Sequence, residues 1–249
     1  MTDSLEELAE LIAHANAVVV LTGAGMSTES GLPDYRGSAG LWRNRRFEEL
    51  ACIEALEREP AEFWEFYRER LAVLADAAPN PGHLALAELE RSGHVTGLIT
   101  QNVDGLHARA GSSALEVHGS LRTADCRSCA RRWDMVDVIV RMQTATAGIP
   151  LCDCGSVLKP SVVLFGEMLP PAIEEAAALA GQADVLIVCG SSLAVAPVSR
   201  LPLIVLGAGG QLVIINDGPT EFDVLADMRF SGRLAQVLPL LADLLGEVS

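Results

Sequence analysis

Apolar residues follow two rhythms along the chain. Val18-Val19-Val20-Leu21, Val95 to Ile99, Val162 to Phe165, Val185 to Cys189 and Leu212 to Ile215 are short, nearly unbroken apolar runs. That texture marks strands buried on both faces. Between them the spacing turns helical. Leu5, Leu8, Ile12 and Ala15 behind a Ser4 cap predict an amphipathic helix over 4–15. Further helices are predicted over 47–57, 61–76, 83–90, 171–180, near 197–209 and over 234–245. The second of these starts behind Pro60 and carries Phe63, Trp64, Tyr67, Leu71 and Leu74 on or near one face. Pro79-Asn80-Pro81-Gly82 reads as a turn. Strands alternating with helices predict an α/β fold: a parallel sheet covered by helices on both faces. Around residues 120–160 apolar runs shorten and four of the six cysteines appear, the texture of a small inserted module.

Composition narrows the function classes. A chain of 249 residues can bury one sizeable core, or a main domain with an attachment. No apolar run reaches the ~18 residues of a membrane span, and the acidic N-terminus lacks a secretion pattern. The expected location is therefore cytoplasmic, with no membrane partner. Thirty-three acidic against 18 basic residues give a formal charge of −15. With no basic stripe, nucleic acid is excluded as a direct ligand. An acidic surface serves solubility and also attracts lysine-rich proteins.

The chemistry lies where strands end. Gly23 and Gly25 follow the first strand and match the first two glycines of the dinucleotide fingerprint. Thr28 stands in the third place, and no acidic residue follows in a clear second strand. Thr100-Gln101-Asn102-Val103-Asp104-Gly105-Leu106-His107 leaves another strand with amide, carboxylate and imidazole groups close together. Together the two segments point to a nucleotide site with chemistry beside it. Cys126-x-x-Cys129 and Cys152-x-Cys154, with 22 residues between the pairs, suggest a four-thiolate structural zinc site. The second pair is tighter than the usual Cys-x-x-Cys, and alternate residues of an extended chain do not share knuckle geometry unless a turn intervenes. Cys52 and Cys189 read as buried thiols.

These residues carry a family resemblance. The segment 23–36, residues 100–107, His118-Gly119, the paired cysteines, Val162 to Glu167, Gly190 to Val195 and Ile215-Asn216 occur in the order and spacing of the sirtuins. The chain resembles those NAD-dependent protein lysine deacylases over nearly its whole length. The resemblance implies a Rossmann-like sheet with NAD across its carboxyl edge and a small zinc-ribbon module. The large part would comprise approximately 1–41, 77–120 and 160–249. The small part would be a helical 42–76 and a ribbon 121–159.

By the same resemblance, NAD would be held by Gly23, Ala24, Gly25, Ser30, Asp34, Tyr35, Arg36, Trp42, Gln101, Asn102, Asp104, Gly190, Ser191, Ser192 and Asn216. His118 would act as base on a ribose hydroxyl with Asn102 beside it, and His107 would pack. Val162, Phe165, Gly166, Glu167 and Val195 would hold an extended acyl-lysine peptide by strand addition. Tyr67 and Arg70, three apart on one helix face, resemble the branch that removes succinyl and malonyl groups, and Ala51 falls where that branch keeps a small residue. Acetyl removal is expected alongside. The rival readings are a plain deacetylase, a protein ADP-ribosyltransferase, a non-catalytic NAD-sensing module and a nicotinamide-dependent oxidoreductase.

Overall fold

The computed structural model describes residues 4–34 and 45–248. Tyr35, Arg36 and Trp42 lie outside the described residues. Helices α1 (Leu5–His14), α2 (Arg45–Leu50), α3 (Ile53–Arg58), α4 (Pro60–Asp76), α5 (Pro81–Arg91), α6 (Leu106–Ala110), α7 (Met135–Thr144), α8 (Ala172–Ala180), α9 (Leu201–Gly207) and α10 (Leu234–Val248) alternate with two sheets. The larger sheet contains β1 (Val18–Thr22), β2 (Gly97–Thr100), β3 (Leu115–Glu116), β7 (Val185–Cys189), β8 (Gln211–Ile215) and β9 (Met228–Phe230). The smaller contains β4 (Gly119–Cys126), β5 (Arg132–Asp134) and β6 (Leu158–Val162).

The six strands of the larger sheet run parallel in the order β3-β2-β1-β7-β8-β9. Its central strands are apolar throughout because both faces are covered. Val18 and Val20 pack with Leu8, Ile12, Leu86, Leu238 and Leu241 on one side. Val19 and Leu21 pack with Ala176, Leu186, Val188, Leu201 and Val205 on the other. Strand order reverses around β1 and β7, the place where open α/β sheets leave a crevice at the carboxyl ends. Among the described residues, no helix is long and apolar enough to cross a membrane.

The smaller sheet is antiparallel, ordered β5-β4-β6. Its residues Leu121, Ala124, Trp133, Leu158 and Val162 share one core with Leu50, Leu56, Phe63, Trp64, Phe66 and Tyr67. The indole nitrogen of Trp64 donates to the Leu158 carbonyl at 3.0 Å, stitching α4 to β6.

Three expectations need correction. Val162 to Phe165 is not a strand of the parallel sheet. Only Val162 is in a strand, as the last residue of β6 in the small sheet, and the run beyond it serves as a connector whose Phe165 bridges to Cys52. The helix expected over 47–57 breaks for the same reason. Cys52 is extended, the Phe165 amide donates to the Ala51 carbonyl (3.0 Å), and the Ile53 amide donates to the Phe165 carbonyl (3.1 Å). The helix near 197–209 begins only at Leu201, after one tight turn over Val198–Arg200. The cysteine-bearing insert also holds α7, capped by the Asp134 carboxylate and burying Met135, Val138 and Met142.

Candidate active site

Main chain alone joins the carboxyl ends of three strands. The Gly23 amide donates to the Cys189 carbonyl (3.0 Å), the Gly25 amide to the Gly190 carbonyl (2.9 Å), and the Gly190 amide to the Ile215 carbonyl (3.0 Å). A Cβ on Gly25 would stand 2.8 Å from the Gly190 Cα, and one on Gly190 would stand 2.6 Å from the Met26 nitrogen. No side chain fits at either position. Residues Ala24–Ser30 then wind into a 3₁₀ helix.

In front of this floor opens a cleft of about 1390 Å³. Gly23, Ala24, Gly25, Asp34, Gln101, Asn102, His118, Gly190, Ser191, Ser192 and Asn216 all line it. Ala51, Tyr67, Arg70, Val162, Phe165, Gly166, Glu167 and Val195 line it too. A glycine floor that admits close backbone approach fits a dinucleotide pyrophosphate, so these residues could hold NAD.

The protonation of His118 follows from its partner. Its Nδ1 lies 3.0 Å from the Gln101 carbonyl oxygen, which can only accept, so Nδ1 carries the hydrogen. The lone pair is therefore on Nε2. Burial pushes the imidazole below its ordinary pKa, with the Gln101 bond opposing, and favours the neutral ring. A half-buried, neutral, oriented imidazole is equipped to accept a proton.

Around it a polar lattice is nearly complete. The Gln101 side-chain amide donates to Ser191 Oγ (2.7 Å). Asn102 Nδ2 donates to the Gly23 carbonyl (3.0 Å) and to Ser27 Oγ (3.1 Å). Ser27 in turn donates to Asp104 Oδ2 (2.7 Å), whose other oxygen accepts from the Leu106 amide (2.9 Å). Asn216 Nδ2 donates to the Gly218 carbonyl (2.7 Å) at the far end of the cleft, where Asp217, Gly218 and Arg233 also line the wall.

Three expected residues sit differently from their expected roles. Ser30 does not line the cleft; its hydroxyl accepts from Asn80 Nδ2 (3.1 Å) behind the 3₁₀ helix. Asp104 reaches the site through Ser27 and lines an adjoining pocket of about 220 Å³ with Ala24 and Asn102. Glu167 lines the cleft, but its Oε2 accepts from Lys159 Nζ (2.7 Å) and the Leu164 amide (2.9 Å), clamping its own loop. Asn80, which helps organise the floor, carries no distinctive spacing in the sequence, whereas Ser27 lies within the recognised 23–36 segment without an assigned role. At the other end, Tyr67 is buried, and the Arg70 guanidinium lies 5.3 Å from the Phe66 ring centroid and 5.9 Å from that of Tyr67.

The sulfurs of Cys126, Cys129, Cys152 and Cys154 all lie within 4.8 Å of one another. Cys126 and Cys154 are 3.5 Å apart, Cys129 and Cys152 3.6 Å. Tetrahedral zinc with Zn–S of ~2.3 Å requires sulfurs about 3.8 Å apart, so the cluster fits that ion with little adjustment. The tight second pair works because the chain turns. The Cys152 amide donates to the Ser156 carbonyl and the Gly155 amide to the Cys152 carbonyl, both at 2.8 Å, with Gly155 at φ +86°. The Ser156 amide and hydroxyl pull the Cys154 thiol down to about 6, toward the thiolate that a metal needs.

Comparison with known proteins agrees with this geometry. The model of the Sir2 family matches residues 23–197. A Geobacillus kaustophilus protein named NAD-dependent protein deacetylase 1 is 48% identical over 241 residues, covering 95% of this chain and 97% of its own. The NAD-dependent protein deacylase of Pyrococcus furiosus is 42% identical over 248 residues, covering 98% and 99%. A solved structure described as Sir2-p53 peptide-NAD+ has a TM-score of 0.90 at 37% identity, covering 99% of this chain and 100% of that one.

Proposed function

This chain belongs to the Sir2 family, and from that premise we propose that it removes acyl groups from protein lysines with NAD as co-substrate. The products are free lysine, nicotinamide and 2′-O-acyl-ADP-ribose. The observation that carries the reading is the lone pair of His118 Nε2 in the same cleft as the Gly23–Gly25–Gly190 floor. NAD supplies an activated ribose, attacked by the acyl oxygen of the lysine as nicotinamide departs. His118 would take the proton from a hydroxyl of that ribose at Nε2, its Nδ1–H staying on the Gln101 carbonyl. That oxygen would add to the acyl carbon, and one water would complete the balance as the acyl–nitrogen bond breaks and lysine leaves. Asn102, fixed by Gly23 and Ser27, orients the ribose. Zinc on the four cysteines has no open position, so its role is structural. Reduced thiols in such a cluster suit a cytoplasmic location.

For the acyl group we propose a preference for succinyl and malonyl, with acetyl also accepted. Arg70 and Tyr67 line the cleft together with the small Ala51. A guanidinium fork matches a terminal carboxylate, and the phenol adds a donor. Incubation with NAD and a panel of acetyl-, malonyl- and succinyl-lysine peptides, read by mass spectrometry, tests both statements. Free lysine with acyl-ADP-ribose is the expected outcome. ADP-ribose left on protein would favour the transferase reading, and no NAD-dependent loss of any acyl group would defeat the proposal.

A further inference from the structure

Two buried imidazoles lie under the cleft floor, and the reaction described above uses neither. His83 on α5 is fully buried and His107 on α6 is 2% exposed. Their ring centroids are 4.8 Å apart. Among the described residues, each ring has one nitrogen bonded and one buried without a protein partner: Nε2 of His83 and Nδ1 of His107.

The hydrogens can be assigned from the bonds each ring does make. The Asn80 backbone N–H donates to His83 Nδ1 (3.3 Å). A backbone amide can only donate, so neutral His83 carries its hydrogen on Nε2. His107 Nε2 lies 2.9 Å from Thr22 Oγ1, and Thr22 Oγ1 donates to Thr100 Oγ1 at 2.8 Å. With the threonine proton spent on Thr100, His107 Nε2 is the donor to Thr22, and Nδ1 holds the lone pair. The unpartnered nitrogens are then one donor and one acceptor on touching rings. The opposite assignment would place two N–H donors on the touching rings, neither able to accept from the other.

The chain ends in the active site. Thr100 Oγ1 also accepts from the Asn102 backbone amide at 3.1 Å. Asn80, at the other end, donates from Nδ2 to the Met26 carbonyl (2.8 Å), on the segment that carries the glycine floor. We propose that His83 and His107 form a neutral, tautomerically matched pair, and that His107 is a positioning residue for Asn102 through Thr22 and Thr100. The inference rests on the deacylase reading for its kinetic consequence but not for its tautomers.

The tautomers are measured first, by nitrogen-15 NMR of histidine-labelled protein at neutral pH. His83 and His107 should both be Nε2–H, whereas His118 should be Nδ1–H. An Nδ1–H or charged His107 would overturn the pairing, whether or not the protein deacylates anything. For positioning, His107→Leu should lower kcat/KM for NAD about tenfold, the loss of roughly one buried hydrogen bond. His107→Gln keeps a donor toward Thr22 and should recover to within about threefold of the parent. Should His107→Leu fail to fold, Thr22→Val cuts the next link and should reproduce the loss. Parental kcat/KM in Thr22→Val or in a folded His107→Leu, or equal losses in the Leu and Gln variants, would overturn the positioning role.

Discussion

The cleft floor and the cysteine module hold their shapes by different means. Under the cleft, buried apolar strands fix the frame, and short hydrogen bonds among Thr22, Thr100, Asn102, Ser27 and Asp104 fill its polar interior. The module has a three-stranded sheet and little interior of its own beyond what it shares with α2–α4. Several of its ion pairs, Arg131–Asp153, Arg132–Asp125 and Arg127–Glu57, are largely exposed, a class worth ~0–1 kcal/mol each; Lys159–Glu167, at its edge, is more buried. Trp133, flanked by the guanidiniums of Arg131 and Arg141 at 4.2 and 3.8 Å, adds only a modest contribution. The four thiolates are what remains to tie the module together. One region is stabilised by packing and the other by a cross-link.

The sharpest way to break this contrast is to remove the metal. Structural zinc contributes on the order of 10 kcal/mol where the ligands would otherwise disperse. Cys129→Ser should abolish zinc stoichiometry and strip hydrogen-exchange protection from β4–β6. Protection in β1, β7 and β8 should outlast it. Simultaneous loss in both sheets would show that the regions fold as one unit.

The converse experiment alters chemistry without altering the frame. His118→Ala should lower deacylation by roughly 10²–10⁴-fold, the usual contribution of a general base. It should leave the melting temperature within a few degrees of the parent, since one hydrogen bond is lost. Near-parental turnover would reject the base assignment.

A smaller, selective effect is expected at the end of the cleft opposite Asn216. Arg70→Met should reduce kcat/KM for succinyl-lysine about 100-fold and change acetyl-lysine by less than about threefold, because only the former presents a carboxylate. Equal changes for both substrates would remove the clamp.

The mildest test uses pH. Burial lowers His83 to about 4 and His107 to about 3 in the folded chain, against an ordinary value near 6.5. Between those limits the unfolded chain binds protons that the folded chain does not. Stability should therefore be full above about pH 6.5 and fall as pH drops toward 4, these two protons contributing a slope approaching 2.7 kcal/mol per pH unit (about 1.36 each). His118, also lowered by burial, adds to that slope with the same sign. Denaturant midpoints across that range measure it. His83→Phe should flatten the slope by one proton's share, roughly 1.36 kcal/mol per pH unit.

Continuous apolar runs made β1, β2, β7 and β8 legible because doubly covered strands need no polar face. The same logic misassigned Val162 to Phe165, in which Val162 and Leu164 are buried in the core shared by the small sheet and α2–α4 while Phe165 stands exposed at the cleft. The break at Cys52 was invisible for a related reason: a distant partner, Phe165, supplies the bonds that compete with the helix. Most of the cleft could be read because Gly23, Gly25, His118 and Asn216 follow strand ends in a recognisable order. Asn80 and Thr22 could not, since hydroxyls and amides in a buried lattice are selected by three-dimensional neighbours. Ser30 came from the motif at 23–36, and its hydroxyl accepts from Asn80 Nδ2, a partner the motif does not reveal.

The contact between Gly25 and Gly190 has a consequence for how this protein can vary. Backbone atoms meet there with no side chain between them, so the separation of the two turns is set by bond lengths and van der Waals radii. Neighbouring side chains can be exchanged to retune what the groove accepts, while the gap itself has no adjustable part. An added methyl at either position would wedge both turns apart at once, and everything aligned against them would move together.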